Sequence, residues 1–154
     1  PTIKNTISDS HIILNYILQY LTKKSYSNKL YLMGRSLGSV SVLELSKRYP
    51  KDFHSIIIES GFYNEKPIME LFNITLDKKN GFLNDEKIKN YSGPLLIIHA
   101  EKDHIIPFNQ AKLLYNSCLS KNKLILPISN ANHNNILSVN PQKYFQGITN
   151  FINQ

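Results

Sequence analysis

With 154 residues, 42% of them apolar and 19% charged, the chain has the size and composition of one globular domain rather than a disordered segment. A single cysteine, Cys118, excludes a disulfide framework and a Cys-rich metal site, and no apolar run approaches the roughly 20 residues of a membrane-spanning helix. The net charge of +7 comes from 16 lysines and two arginines scattered as in Lys23-Lys24, Lys78-Lys79 and Lys121-Asn122-Lys123, so it reads as solvated surface with at most a weak attraction to anionic membranes, not as a nucleic-acid platform.

Ile12, Ile13, Tyr16, Ile17, Tyr20 and Leu21 recur at helical spacing, which predicts an amphipathic helix over 6–23, with Ser8 or Asp9 at its start. Lys29 to Gly34 is a short apolar run ending in glycine and reads as a strand. A helix over Leu37–Arg48 follows, stopping before Pro50. His54–Glu59, Pro94–His99 and Lys123–Leu126 are further short β-branched strands. Ala111–Leu119 and Pro141–Ile152 are the remaining helices. Continuous apolar strands alternating with helices imply an α/β fold, a mainly parallel sheet of about four strands with helices on both faces. The stretch 61–90 breaks this rhythm. It holds Pro67, Gly81 and two lysine-bearing clusters beside Ile68, Met69, Leu71 and Phe72, and is expected to be an insertion or short lid over the sheet edge.

Gly34-Arg35-Ser36-Leu37-Gly38 is a G-x-S-x-G pattern at a predicted strand-to-helix turn, and it arises by chance in only about 2% of chains of this composition. A nucleophile on such a turn sits in strained backbone, which flanking glycines relieve, and the next helix aims its N-terminus at a developing oxyanion. A serine alone is a weak nucleophile and needs a base and an orienting acid. Asp103, in the loop after the third strand, is the expected acid, with Glu59 and Glu101 as competitors or helix capping as its bland role. His133, in the loop after the last strand, is the expected base. The order Ser36, Asp103, His133 suits this arrangement. His99 reads as a core histidine, His11 and His54 as surface groups, and His104 as a neighbour of the pocket. The histidine spacing offers no metal site, so no metal or other cofactor is expected.

Gly34-Arg35-Ser36-Leu37-Gly38-Ser39, Glu59-Ser60-Gly61-Phe62, His99 through Pro107 and His133-Asn134-Asn135-Ile136 together resemble the serine hydrolases of the α/β-hydrolase fold. The nearest branch carries small helical caps and includes peptidase-like proteins and membrane-associated protein depalmitoylases. The resemblance implies Ser36 as nucleophile, Asp103 as acid, His133 as base and the Leu37 N–H as one oxyanion donor. It also implies Arg35, Phe62, Ile105 and Pro107 in the substrate pocket, and an ester or thioester of an acyl group as substrate. Amide cleavage is a weaker variant. Such hydrolases have about four strands ahead of the nucleophile strand and a His-Gly-type turn that supplies the second oxyanion N–H. Here Pro1-Thr2-Ile3-Lys4-Asn5 and Asp9 resemble the segment just after the Gly-Tyr-Gly-x-Ser-x-Gly-x-Pro turn of those enzymes.

The expectation is therefore one domain over 1–154, N-terminally incomplete. Its first strand would be left with an open edge that pairs with the missing half or with a second copy. A catalytically silent binding or scaffold module is the rival reading. With one cysteine and no leader-like segment, the expected compartment is the cytoplasm, with membrane association as the alternative.

Overall fold

A computed structural model describes residues 2–73 and 81–154. The stretch 74–80, with the lysine pair Lys78-Lys79, lies outside the described residues, as do the side chains of Leu71 and Phe72. In chain order the elements are α1 (Ile3–Lys23), β1 (Tyr31–Arg35), α2 (Gly38–Arg48), β2 (Ser55–Glu59), α3 (Lys66–Phe72), α4 (Asn84–Ile88), β3 (Leu95–Ala100), α5 (Phe108–Ser117), β4 (Lys123–Ile128), α6 (Ile136–Val139) and α7 (Pro141–Ile152). The four strands are all parallel and stand in sequence order, β1-β2-β3-β4.

Side-chain alternation along the inner strands divides the core in two. Ile56 and Ile58 of β2 and Leu95 and Ile97 of β3 pack with Val42 and Leu43 of α2, Ile88 of α4, and Ala111 and Leu114 of α5. Ile57, Leu96 and Ile98 face the other way, onto Ile136, Tyr144 and Phe151 of α6 and α7. All five residues of β2 and all six of β3 are buried, which explains why these strands read as unbroken apolar runs. Each crossover from one strand to the next runs over the α2/α4/α5 face. Strands that advance in one direction with crossovers of one hand must do this, and so the last helix, α7, is left to cover the opposite face.

Several boundaries move from their sequence-based places. The first helix begins at Ile3, not near 6, because the Thr2 hydroxyl accepts from the Asn5 N–H at 3.1 Å and caps it. Ser8 and Asp9 lie within the helix. α5 starts at Phe108, directly after Pro107. β4 runs on to Ile128 through Pro127, tolerated because β4 is an edge strand of the described sheet.

The largest correction concerns 61–90, whose second part is core rather than lid. Ile88 is fully buried against the sheet, and the buried Asn84 donates its Nδ2 to the Phe62 carbonyl at 3.0 Å. Lys87, almost fully buried, meets Glu44 of α2 at 2.7 Å. Although burial opposes ionisation, the charge and hydrogen bond of Lys87, with a smaller part from His11, hold the Glu44 carboxyl below its ordinary value. The Glu65 carboxylate gathers the segment by accepting from the N–H groups of Phe82 and Leu83.

Candidate active site

Parallel strands all end on one edge, and the loops that leave that edge carry the chemistry-bearing residues. β1 ends at Arg35 and turns into α2 through Ser36, whose φ of 52° lies in the left-handed region that side chains avoid. This is the strain expected of a nucleophile on a sharp turn. Three bonds hold it: the Ser36 N–H donates to the Glu59 carbonyl at 2.8 Å, and its own carbonyl accepts from the Ser39 N–H at 3.0 Å and the Ser39 hydroxyl at 2.7 Å. Gly34 lets helix and strand approach, since a Cβ there would lie 2.6 Å from the Gly38 carbonyl carbon and from Val42 Cγ2. Gly38 differs from expectation. Nothing lies within 4 Å of a Cβ built on it, so among the described residues the second glycine relieves no collision.

The Ser36 hydroxyl lies 3.1 Å from His133 Nε2, and His133 Nδ1 lies 2.8 Å from Asp103 Oδ2. Asp103 and His133 are both buried. The second oxygen of Asp103 accepts the N–H groups of Ile105 at 3.0 Å and Ile106 at 2.8 Å, so the carboxylate is aimed by its own loop. It does not cap α5, whose N-cap is Pro107 without a side-chain bond. The His133 loop is shaped by asparagines: the Asn132 N–H meets Asn135 Oδ1 at 2.6 Å, and the Asn134 N–H meets Asn132 Oδ1 at 2.9 Å. The run of asparagines from Asn130 to Asn135 was the available signal for this turn.

The competing groups fall elsewhere. Glu101 and His104 are exposed. Glu59 turns its carboxylate to Arg35 Nε, 3.2 Å away, and to the Tyr144 hydroxyl, 2.6 Å away. Burial, reinforced by that carboxylate, pushes the Tyr144 phenol well above its ordinary value. His99 is fully buried behind Asp103: its Nε2 is 2.8 Å from the Ile106 carbonyl and 3.5 Å from Asp103 Oδ2. Its Nδ1 has no partner among the described residues. Burial depresses the His99 pKa below 6.5 against the opposing pull of the carbonyl and of Asp103, so the ring is neutral at physiological pH. His11 pairs with Tyr49 and Glu44, and His54 meets Lys29, all away from this edge.

The residues expected around the substrate are less uniform. Leu37 is exposed at the start of α2, and its N–H has no hydrogen-bond acceptor among the described residues. Phe62 is fully buried, edge-on to Phe82 with centroids 5.7 Å apart and packed with Val40 and Ile106. It supports the site from beneath and presents no surface of its own. Ile105 is half-buried against the same cluster, and Pro107 is exposed. Among the described residues no group of three or more His, Cys, Asp or Glu is placed to hold a metal ion, and no helix is long and apolar enough to cross a membrane.

Comparison with known proteins bears on the family and the fold. The profile described as the prolyl oligopeptidase family matches residues 13–154. Lysophosphatidylserine lipase ABHD12 of Xenopus tropicalis is 32% identical over 123 residues, covering 66% of this chain and 31% of that protein. The same lipase of Danio rerio is 29% identical over 137 residues, covering 75% of this chain and 34% of the relative. The chain thus spans about a third of the length of these curated relatives.

Among solved structures, an acylaminoacyl peptidase of Pyrococcus horikoshii superposes with a TM-score of 0.77 at 19% identity, covering 99% of this chain and 28% of that one. A monoacylglycerol lipase of Paleococcus ferrophilus gives 0.71 at 15% identity, covering 99% and 75%. These likenesses show the fold, a four-stranded parallel sheet of the α/β-hydrolase type. With the family match running through the Ser36 turn and both loops, the chain belongs to the prolyl oligopeptidase family of α/β-hydrolases.

Proposed function

We propose that the protein hydrolyses an ester or thioester of an acyl group, with Ser36 as nucleophile, His133 as general base and Asp103 as the orienting acid. The observation that carries this reading is the unbroken series from the Ser36 hydroxyl through both nitrogens of His133 to a doubly anchored carboxylate. With its Nδ1–H donated to Asp103, His133 turns a lone pair on Nε2 toward Ser36. Ser36 Oγ attacks the acyl carbon while Nε2 takes its proton. The oxyanion is stabilised by the Leu37 N–H and the N-terminal end of α2. As the tetrahedral intermediate collapses, the imidazolium gives its proton to the departing alcohol or thiol, leaving an acyl-serine. Water then attacks that acyl carbon as Nε2 accepts its proton; the proton returns to Oγ and the acid product leaves. Asp103 stays ionised and stabilises the charged ring.

Alkoxide and thiolate leave more readily than an amine, which favours esters over amides when Leu37 is the oxyanion donor in view. The lipase names of the curated relatives point the same way and place a monoacyl lipid ester among the first substrates to try. A chain of net charge +7 would draw an anionic lipid headgroup or surface toward it.

The test is labelling with a fluorophosphonate probe, together with hydrolysis of p-nitrophenyl butyrate, for the wild type and Ser36→Ala. Both signals are expected in the wild type and neither in the variant. Unchanged labelling or turnover in Ser36→Ala would refute the assignment. No reaction in either protein would favour the silent binding module instead.

A further inference from the structure

Arg35 occupies the variable position of the G-x-S-x-G turn, where the catalytic scheme asks nothing of the side chain. Three contacts give it a job. In the parallel ladder Arg35 stands directly opposite Glu59, so the two side chains leave the sheet on the same face. There the Glu59 carboxylate takes Arg35 Nε on one oxygen at 3.2 Å, and on the other the Tyr144 hydroxyl of α7 at 2.6 Å. The guanidinium then reaches across to the histidine loop: Arg35 Nη2 donates to the backbone carbonyl of His133 at 2.5 Å and lies 3.5 Å from Asn134 Oδ1.

We infer that Arg35 is a positioning residue for the general base: held by Glu59, which Tyr144 anchors in turn, it clamps the His133 carbonyl and keeps the imidazole in register with Ser36. This rests on the hydrolase reading above and deepens it. The physical reason is geometric. A guanidinium is a rigid planar fork whose Nε and Nη donors point in fixed, different directions, so one side chain ties a carboxylate on β2 to a carbonyl beyond β4. An ammonium, a single point charge on a flexible stem, cannot hold both partners at a set separation.

The same Glu59 also accepts the Ser36 N–H on its main-chain carbonyl. Nucleophile and base are therefore referred to one residue, the nucleophile through Glu59's backbone and the base through its side chain. Asp103 fixes the tilt of the imidazole from one side, but the distance of the whole loop from β1 is set from the other side by Arg35. A displacement of about 1 Å between reacting groups costs on the order of 100-fold in rate.

The experiment measures kcat and KM for p-nitrophenyl butyrate, a neutral ester, in wild type, Arg35→Ala, Arg35→Lys and Tyr144→Phe, with melting temperature recorded for each. Expected for Arg35→Ala is a kcat lower by roughly 10- to 100-fold with KM within about twofold, partly restored by millimolar guanidinium, which fits the half-exposed space the side chain leaves. Arg35→Lys should not recover the activity. Tyr144→Phe keeps the ring and loses only the hydroxyl, so it should fold and lower kcat by about fivefold, the worth of one hydrogen bond.

Unchanged kcat in Arg35→Ala overturns the inference, as does a change confined to KM, which would make Arg35 a substrate contact. A kcat loss that guanidinium does not restore, with Tyr144→Phe fully active, overturns it too. If Arg35→Ala does not fold, Tyr144→Phe decides alone. Failure of the hydrolase reading is seen separately, as labelling that survives Ser36→Ala.

Discussion

The two glycines of the G-x-S-x-G turn should respond in opposite directions to the same substitution. At Gly34 an alanine methyl would sit 2.6 Å from the Gly38 carbonyl carbon and from Val42 Cγ2, about 0.8 Å short of the 3.4 Å at which ordinary contact begins. One of those neighbours is backbone in the first turn of α2, and Val42 is buried against the sheet, so neither yields without moving the helix. Overpacking of this kind costs about 3 kcal/mol. The helix that must move also carries the Ser36 turn, so the 3.1 Å link to His133 should lengthen and fluorophosphonate labelling should slow.

At Gly38 nothing lies within 4 Å of the added methyl, and the residue is already the first of a helix. Alanine there should stabilise by about 0.5 kcal/mol, from the smaller entropy lost on folding. Urea denaturation of the two single variants beside wild type measures both, and a plot of labelling against time supplies the functional arm. Equal costs at the two positions, or a silent Gly34→Ala, would refute the claim that close approach of α2 to β1 is what demands a glycine here.

Three further expectations follow from particular contacts. Ile88→Ala removes a fully buried side chain from the core and should cost about 3 kcal/mol in urea unfolding; a loss under about 0.5 kcal/mol would restore α4 to the status of a surface lid. Because burial holds the His99 pKa below 6.5, the unfolded chain binds a proton below that pH that the folded chain refuses, and stability must fall as pH falls. His99→Gln should flatten the fall of urea-unfolding free energy below about pH 6.5 by up to about 1.4 kcal/mol per pH unit, and parallel limbs in the two proteins would contradict this. The lowered Glu44 carboxyl adds stability that is present above about pH 4.5 and lost below it, so Lys87→Met should move that lower part of the acid limb and leave the His99 part in place.

The relation between chain and fold is clearest at the residues where reading succeeded and failed. The apolar runs at Ile56–Ile58 and Leu95–Ile98 were legible as buried parallel strands because both of their faces are covered, and burial on both sides leaves a continuous signature. The Ser36 turn was legible because its demands are local, a strand, a tight corner and a helix within a few residues. The stretch 61–90 misled because Gly81, Pro67 and the lysines signal irregular chain, and a one-turn helix such as α4 is too short to show a period. Its place in the core depends on Ile88 and Lys87 reaching α2 and the sheet, contacts far apart in sequence.

By itself, then, the sequence determined the fold class, the strand-turn-helix around Ser36, and the presence of a carboxyl group and a histidine in loops that follow later strands. Parallel connectivity alone sends those loops to one edge. What only the tertiary structure decided is which acid faces His133. Glu59 and Asp103 both stand at that edge, but Glu59 leaves the sheet toward α7 and is taken by Arg35 and Tyr144, while the turn after β3 aims Asp103 at the ring. That choice rests on strand register and helix docking, which pair residues 24 and 85 positions apart, and no local pattern in a chain records such distances.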